Sequence, residues 1–199
     1  MNGTWENCAD QQGRCNSEIA AGRVRENVDS PTWINNWVQQ LDLGCIGGAK
    51  LGMLGSFWFA GWIISSLIVP TLADSKGRQN IFLTGIFVNT ITITIMIFST
   101  NFWLTGFCLL VNGLTVTSRW AVGYILLLEF LPETTQSLMG GVLQACGAMP
   151  LVLGTIISMT THDTKWILIT LVTLNVIGLI CVLAFKIVPE SPAWLYSVK

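Results

Sequence analysis

Leu72-Ala73-Asp74-Ser75-Lys76-Gly77-Arg78-Gln79 is a short charged stretch of the pattern D-x-x-G-R, set between two long apolar runs. The run before it, 52–72, and the run after it, 81–100, hold no ionisable side chain. Each would cover about 30 Å as a helix, which is the thickness of a bilayer core. The stretch therefore reads as a tight loop between two membrane-spanning helices. Short loops with Lys and Arg stay cytoplasmic, so Lys76 and Arg78 set an inside face and Ser99-Thr100-Asn101 falls outside.

Working outward, 102–131 reads as a third span with one Arg inside it, 137–160 as a fourth and 166–188 as a fifth. Pro132-Glu133-Thr134-Thr135-Gln136 and Thr161-His162-Asp163-Thr164-Lys165 connect them, too short for separate domains. Composition agrees: 52% of the chain is apolar and 11% is charged, against roughly a quarter charged in soluble domains. The expected fold is all-α and integral to the membrane, one bundle over 51–199 with a short cytoplasmic tail. Continuous long runs exclude the short alternating segments of an outer-membrane barrel. A net charge of −1 without a basic patch excludes nucleic acid as a partner.

Residues 1–50 differ. They hold most of the acidic residues, Cys8, Cys15 and Cys45, and no run long enough to span. Alternation from Asp74 places this segment outside the cytoplasm. There the three cysteines are candidates for disulfides, one being left over, and Asn2-Gly3-Thr4 is a candidate glycan acceptor. The start has neither a charged nor an apolar signal region, so a further spanning helix is expected ahead of it.

These features together resemble the N-terminal half of a major facilitator superfamily transporter, most closely the organic cation, organic anion and carnitine branch. Leu72 to Arg78 corresponds to the loop after the second family helix, Leu128-Glu129-Phe130 to the end of the fourth, and Pro189-Glu190-Ser191-Pro192 to the end of the sixth. Asn36-Trp37 and Leu41-Asp42-Leu43-Gly44-Cys45 are similar to the end of that branch's extracellular loop. The resemblance implies five helices of a six-helix half, the first being absent.

By helix alternation Asp74, Arg78, Glu129 and Glu190 share the cytoplasmic edge, where a nearby low dielectric strengthens charge pairing. The resemblance implies that they form a latch that holds helix ends together in one access state. Gly77 suits the turn because it tolerates positive φ, and Arg78 offers a forked donor to Glu129. The competing reading is a solvated connecting turn. The chain also departs from the family: Ala193, Gln79, Pro70 and Leu109 stand where Arg, a second basic residue, Gly and Arg are usual. These departures thin the latch.

Arg119 lies ten residues before Glu129, about 15 Å deeper in the membrane. Asn112, Thr115, Arg119 and Gly123 recur at helical spacing, a polar stripe that reads either as the lining of a transport cavity or as a packing face. A cavity Arg favours an anionic or zwitterionic solute. On the fourth span Gly140, Gly147, Gly154 and Ser158 read as helix packing, with Gln144 as a further candidate for cavity lining. Trp58, Trp62, Trp103, Trp120 and Trp166 read mostly as interface anchors or lipid-facing bulk rather than stacking platforms. Cys108, Cys146 and Cys181 read as small apolar residues, and His162 is too isolated for a metal site. No nucleophile, base and orienter converge and no phosphate loop is present, so no enzyme, cofactor or metal is expected.

Two functions follow. One is part of a secondary transporter for small organic ions, working by alternating access in the plasma membrane or an organelle and needing a second half. The other is a transporter-like structural subunit that binds other membrane subunits through its lipid-embedded faces.

Overall fold

The computed structural model describes residues 33–41, 43 and 48–185. They form a helical bundle. α1 is the single turn Trp37–Gln40, and α2 (Gly48–Lys76) and α3 (Arg78–Phe98) are long spans. α4 (Phe102–Thr117) runs through a π turn (Ser118–Val122) into α5 (Gly123–Glu129), and α6 (Glu133–Thr161) and α7 (Thr164–Phe185) complete the chain of helices. α2, α3, α6 and α7 are each long and apolar enough to cross a membrane. In lipid every backbone polar group must pair within the segment, which is why uninterrupted apolar runs become helices rather than sheet. The third run is helical as far as Glu129, but the π turn divides it.

The connections are tighter than the sequence suggests. The Leu72 to Gln79 stretch is not an open loop: α2 continues to Lys76, α3 begins at Arg78, and Gly77 alone breaks the helix, at φ 93°. A side chain there would be strained, so glycine is what permits a one-residue reversal. Pro132 gives way to α6 already at Glu133, and only His162 and Asp163 separate α6 from α7. His162 adopts the left-handed conformation at φ 52° and donates its N–H to the Ser158 carbonyl. Asn101 caps α4 by accepting from the N–H groups of Trp103 and Leu104.

α2 and α4 approach until their backbones touch. A Cβ on Gly61 would overlap the Leu110 carbonyl, and one on Gly113 would overlap the Trp58 carbonyl. Ser65 and Thr117 share a 2.7 Å hydrogen bond at the same crossing. Small residues supply this close contact where lipid offers no hydrophobic driving force. The apolar core lies at one end, built from Leu41, Leu43, Leu54, Met96, Cys108 and Leu109.

Residues 33–41 and 43 lie over that same end. Asn35 donates to the His162 carbonyl at 2.8 Å and accepts from Thr164 N–H at 2.9 Å. Gln40 Nε2 donates to the carbonyls of Ser99, Ile97 and Met96 at 2.7, 3.3 and 3.5 Å. One strap thus holds the α3–α4 and α6–α7 connections together. Elsewhere large apolar side chains face outward, among them Leu67, Phe98, Leu151 and Met159, as expected of surfaces that meet lipid.

Candidate functional site

Two polar sites stand out, at the far end from the strap and near mid-bundle. At the far end, the reversal at Gly77 puts Arg78 on the first turn of α3, facing the end of α5. Its Nη1 contacts Glu129 Oε1, and its Nη2 lies 3.2 Å from Asp74 Oδ1. The Arg78 and Glu129 side chains are about one-fifth exposed, whereas Asp74 is largely exposed. The Glu129 pair therefore carries most of the interaction, because water screens the Asp74 arm. Glu190 lies outside the described residues, as do Asn2, Cys8, Cys15 and Cys45.

Arg119 sits inside the π turn. Such turns carry one residue beyond the α-helical register and are frequent at functional sites. Arg119 borders two cavities. The first, about 690 Å³, lies between α2, the π turn and α6, and is lined by Trp58, Trp62, Trp120, Tyr124 and Gln144 among others. The second, about 790 Å³, opens between α3, α5, α6 and α7, with Phe82, Tyr124, Cys146 and Asn175 on its walls. Both fall in the size range of small-molecule sites. Trp58, Trp62 and Trp120 thus border a cavity, although Trp62 and Trp120 are also partly exposed, and Trp103 and Trp166 face outward as the tryptophan reading expects.

The expected polar stripe does not stay together. Arg119 and Gln144 border one cavity. Asn112 Oδ1 instead accepts from Trp58 Nε1 at 3.3 Å. Thr115 is buried and donates to the Asn112 carbonyl at 2.7 Å. Neither Asn112 nor Thr115 lines either cavity, because α2 covers that face of α4. Gly123 packs on the Phe82 ring, Gly140 on Tyr124, and Gly147 on the Trp120 ring.

Among the described residues, the buried side-chain nitrogens and oxygens without a hydrogen-bond partner belong to Asn89 and Arg119 alone. Asn89 is fully buried, with both its amide nitrogen and its oxygen unpaired. Leaving such a group unsatisfied costs about 1–3 kcal/mol. A membrane-embedded guanidinium costs at least about 2.5–3.5 kcal/mol. Nothing in the apolar pattern of the sequence singles out Asn89.

The fold is that of a helical membrane protein with a partly buried cation beside its cavities, and the comparisons give its family. The family model described as sugar (and other) transporter matches residues 17–199, so the chain belongs to that family. It is similar to organic cation/carnitine transporter 2 of Arabidopsis thaliana, 25% identical over 205 residues, 97% of this chain and 37% of that relative. The mouse protein of the same name is 25% identical over 173 residues, 85% of this chain and 30% of the relative. The human one is 26% identical over 169 residues, 83% and 29%. The chain spans about a third of the length of the curated relatives it matches. The resemblance to a major facilitator transporter and to its organic cation and carnitine branch therefore holds over most of the chain.

Proposed function

We propose that this chain forms most of the N-terminal half of a secondary transporter, which moves a small organic anion or zwitterion by alternating access. The observation that carries this reading is Arg119: a cation on a cavity wall with no partner among the described residues. A guanidinium in a membrane calls for a partner, and an anion is the strongest one it can take. The relatives' names include carnitine, a zwitterion that joins a carboxylate to a quaternary ammonium. Arg119 would take the carboxylate, and Trp58, Trp62 and Trp120 offer ring faces to the ammonium. Gln144 adds a hydrogen-bonding amide to the same wall.

In this reading 1–50 lies outside and the Arg78 end is cytoplasmic. There Asp74, Arg78 and Glu129, with Glu190, close the inner gate. Sites of this kind lie between two halves, so transport requires a second half, in the plasma membrane or an organelle. The alternative, a structural membrane subunit, draws support from the family positions lacking their usual basic residues, Gln79, Leu109 and Ala193.

Uptake of paired anionic, zwitterionic and cationic solutes by the transporter completed with a second half, normalised to surface protein, tests this. Arg119→Gln should cut anion and zwitterion uptake about tenfold or more while leaving cations nearly unchanged, since a charge-assisted bond is worth about 1.5–3 kcal/mol. Arg119→Lys should restore only part, having lost the planar fork. Unchanged normalised uptake would return the reading to the structural subunit.

A further inference from the structure

We propose that Asn89 is a second docking point for the Arg119 guanidinium, so that the arginine alternates between the cavity and the interior of the α3–α4 hairpin. The two residues with unpartnered buried polar side-chain atoms lie on elements that pack directly on each other, α3 and the π turn. Gly85 sets that contact: a Cβ there would overlap Ser118 Oγ and lie 3.6 Å from Arg119 Cγ. The arginine stem therefore runs over Gly85. Asn89 is one helical turn further along α3, on the same inward face as Gly85.

The chemistry is complementary. Asn89 Oδ1 is an acceptor without a donor, and Arg119 Nε–H is a donor without an acceptor. In the state described here the dock is empty and Arg119 borders the cavities. The π turn supplies the means of exchange. Its relaxation to α-helical register turns one side of the helix against the other by about 100° and moves it by about 1.5 Å. That carries the guanidinium from the cavity wall towards Asn89. A solute anion would hold Arg119 out, and its departure would let the arginine return; only this last step rests on the transport reading above. Asn89 is thus a positioning residue for Arg119.

The test uses thermal unfolding of the chain in lipid nanodiscs, with each Asn89 variant made both in the parent chain and in an Arg119→Gln background, and needs no transport. Asn89→Asp should raise the midpoint by about 3 °C or more when Arg119 is present, because a carboxylate would hold the guanidinium in the dock. In the Arg119→Gln background the same change should lower it, since the carboxylate is then buried alone. That reversal of sign is the diagnostic result. Asn89→Leu should do the opposite, lowering the midpoint when Arg119 is present and raising it in the Arg119→Gln background. If Asn89→Asp and Asn89→Leu each shift the midpoint equally in both backgrounds, or Asn89→Asp fails to fold only when Arg119 is present, the dock does not exist. Such a failure leaves the cavity role of Arg119, judged by uptake, where it stood.

Discussion

Arg78 reaches Glu129 across 51 residues of sequence because a single glycine, Gly77, reverses the chain between α2 and α3. The contact joins the start of α3 to the end of α5, and Asp74 on the last turn of α2 reaches the same guanidinium. Three helix ends meet on one side chain. Arg78→Ala should therefore destabilise the bundle, and with Glu129→Ala the double change should cost about 1–2 kcal/mol less than the sum of the singles. Unfolding midpoints of the four proteins measure this. Strict additivity would mean the pair carries no coupling.

At the opposite end Gln40 supplies the donors. Its amide meets three carbonyls at the C-terminus of α3, where the helix leaves its last oxygens unpaired and carries partial negative charge. Gln40→Leu should cost about 1–2 kcal/mol of stability. Gln40→Glu should cost more, because a carboxylate faces those oxygens with like charge and no N–H. Equal losses in the two variants would show that Gln40 acts by packing rather than by capping.

The crossing of α2 and α4 sets a stricter limit. Gly113→Ala places a methyl group against the Trp58 carbonyl, and backbone cannot turn aside as a side chain can. A loss of about 1–3 kcal/mol is expected, the usual cost of overpacking. Gly55, on α2 itself, leaves open space within 4 Å of where a methyl group would sit, so Gly55→Ala should be neutral or gain up to about 1 kcal/mol. Paired thermal denaturation curves check both. Equal effects would put the helices further apart than described.

The spans are legible because lipid demands long uninterrupted apolar runs, and the D-x-x-G-R pattern marks a reversal at Gly77. Helix ends are less so: polar residues such as Asp74, Glu133 and Thr164 belong to helices although they look like loop. The π turn leaves no trace, since an extra residue changes backbone pairing without altering a run that is apolar nearly all round. Asn112, Thr115 and Arg119 share one face at ideal spacing, yet the cover of α2 and the π turn send them to different surroundings. Asn89 does not stand out because a lone amide in an apolar run carries no periodic signal. Trp58, Trp62 and Trp120 suit a lipid face and a cavity wall equally well by composition, so only packing separates the two.

Gly147 connects that packing to transport. A Cβ at this position would overlap the outer ring of Trp120 and come within 2.9 and 3.1 Å of two further ring carbons. Gly147→Ala should push the indole off its place on the cavity wall without breaking α6, in which alanine is favourable. If Trp120 offers its face to a cationic group of the solute, apparent affinity for a zwitterion should fall about two- to tenfold, the value of a modest cation–π contact. Gly141→Ala, which meets open space on the same helix, should change nothing. The mechanism is separable from helix packing: once Trp120→Leu has removed the indole, adding Gly147→Ala should bring no further loss. Concentration-dependent uptake, normalised to surface protein, decides it. A fall of equal size in both backgrounds would show that Gly147 acts on the seating of α6 and that Trp120 is not a contact for the solute.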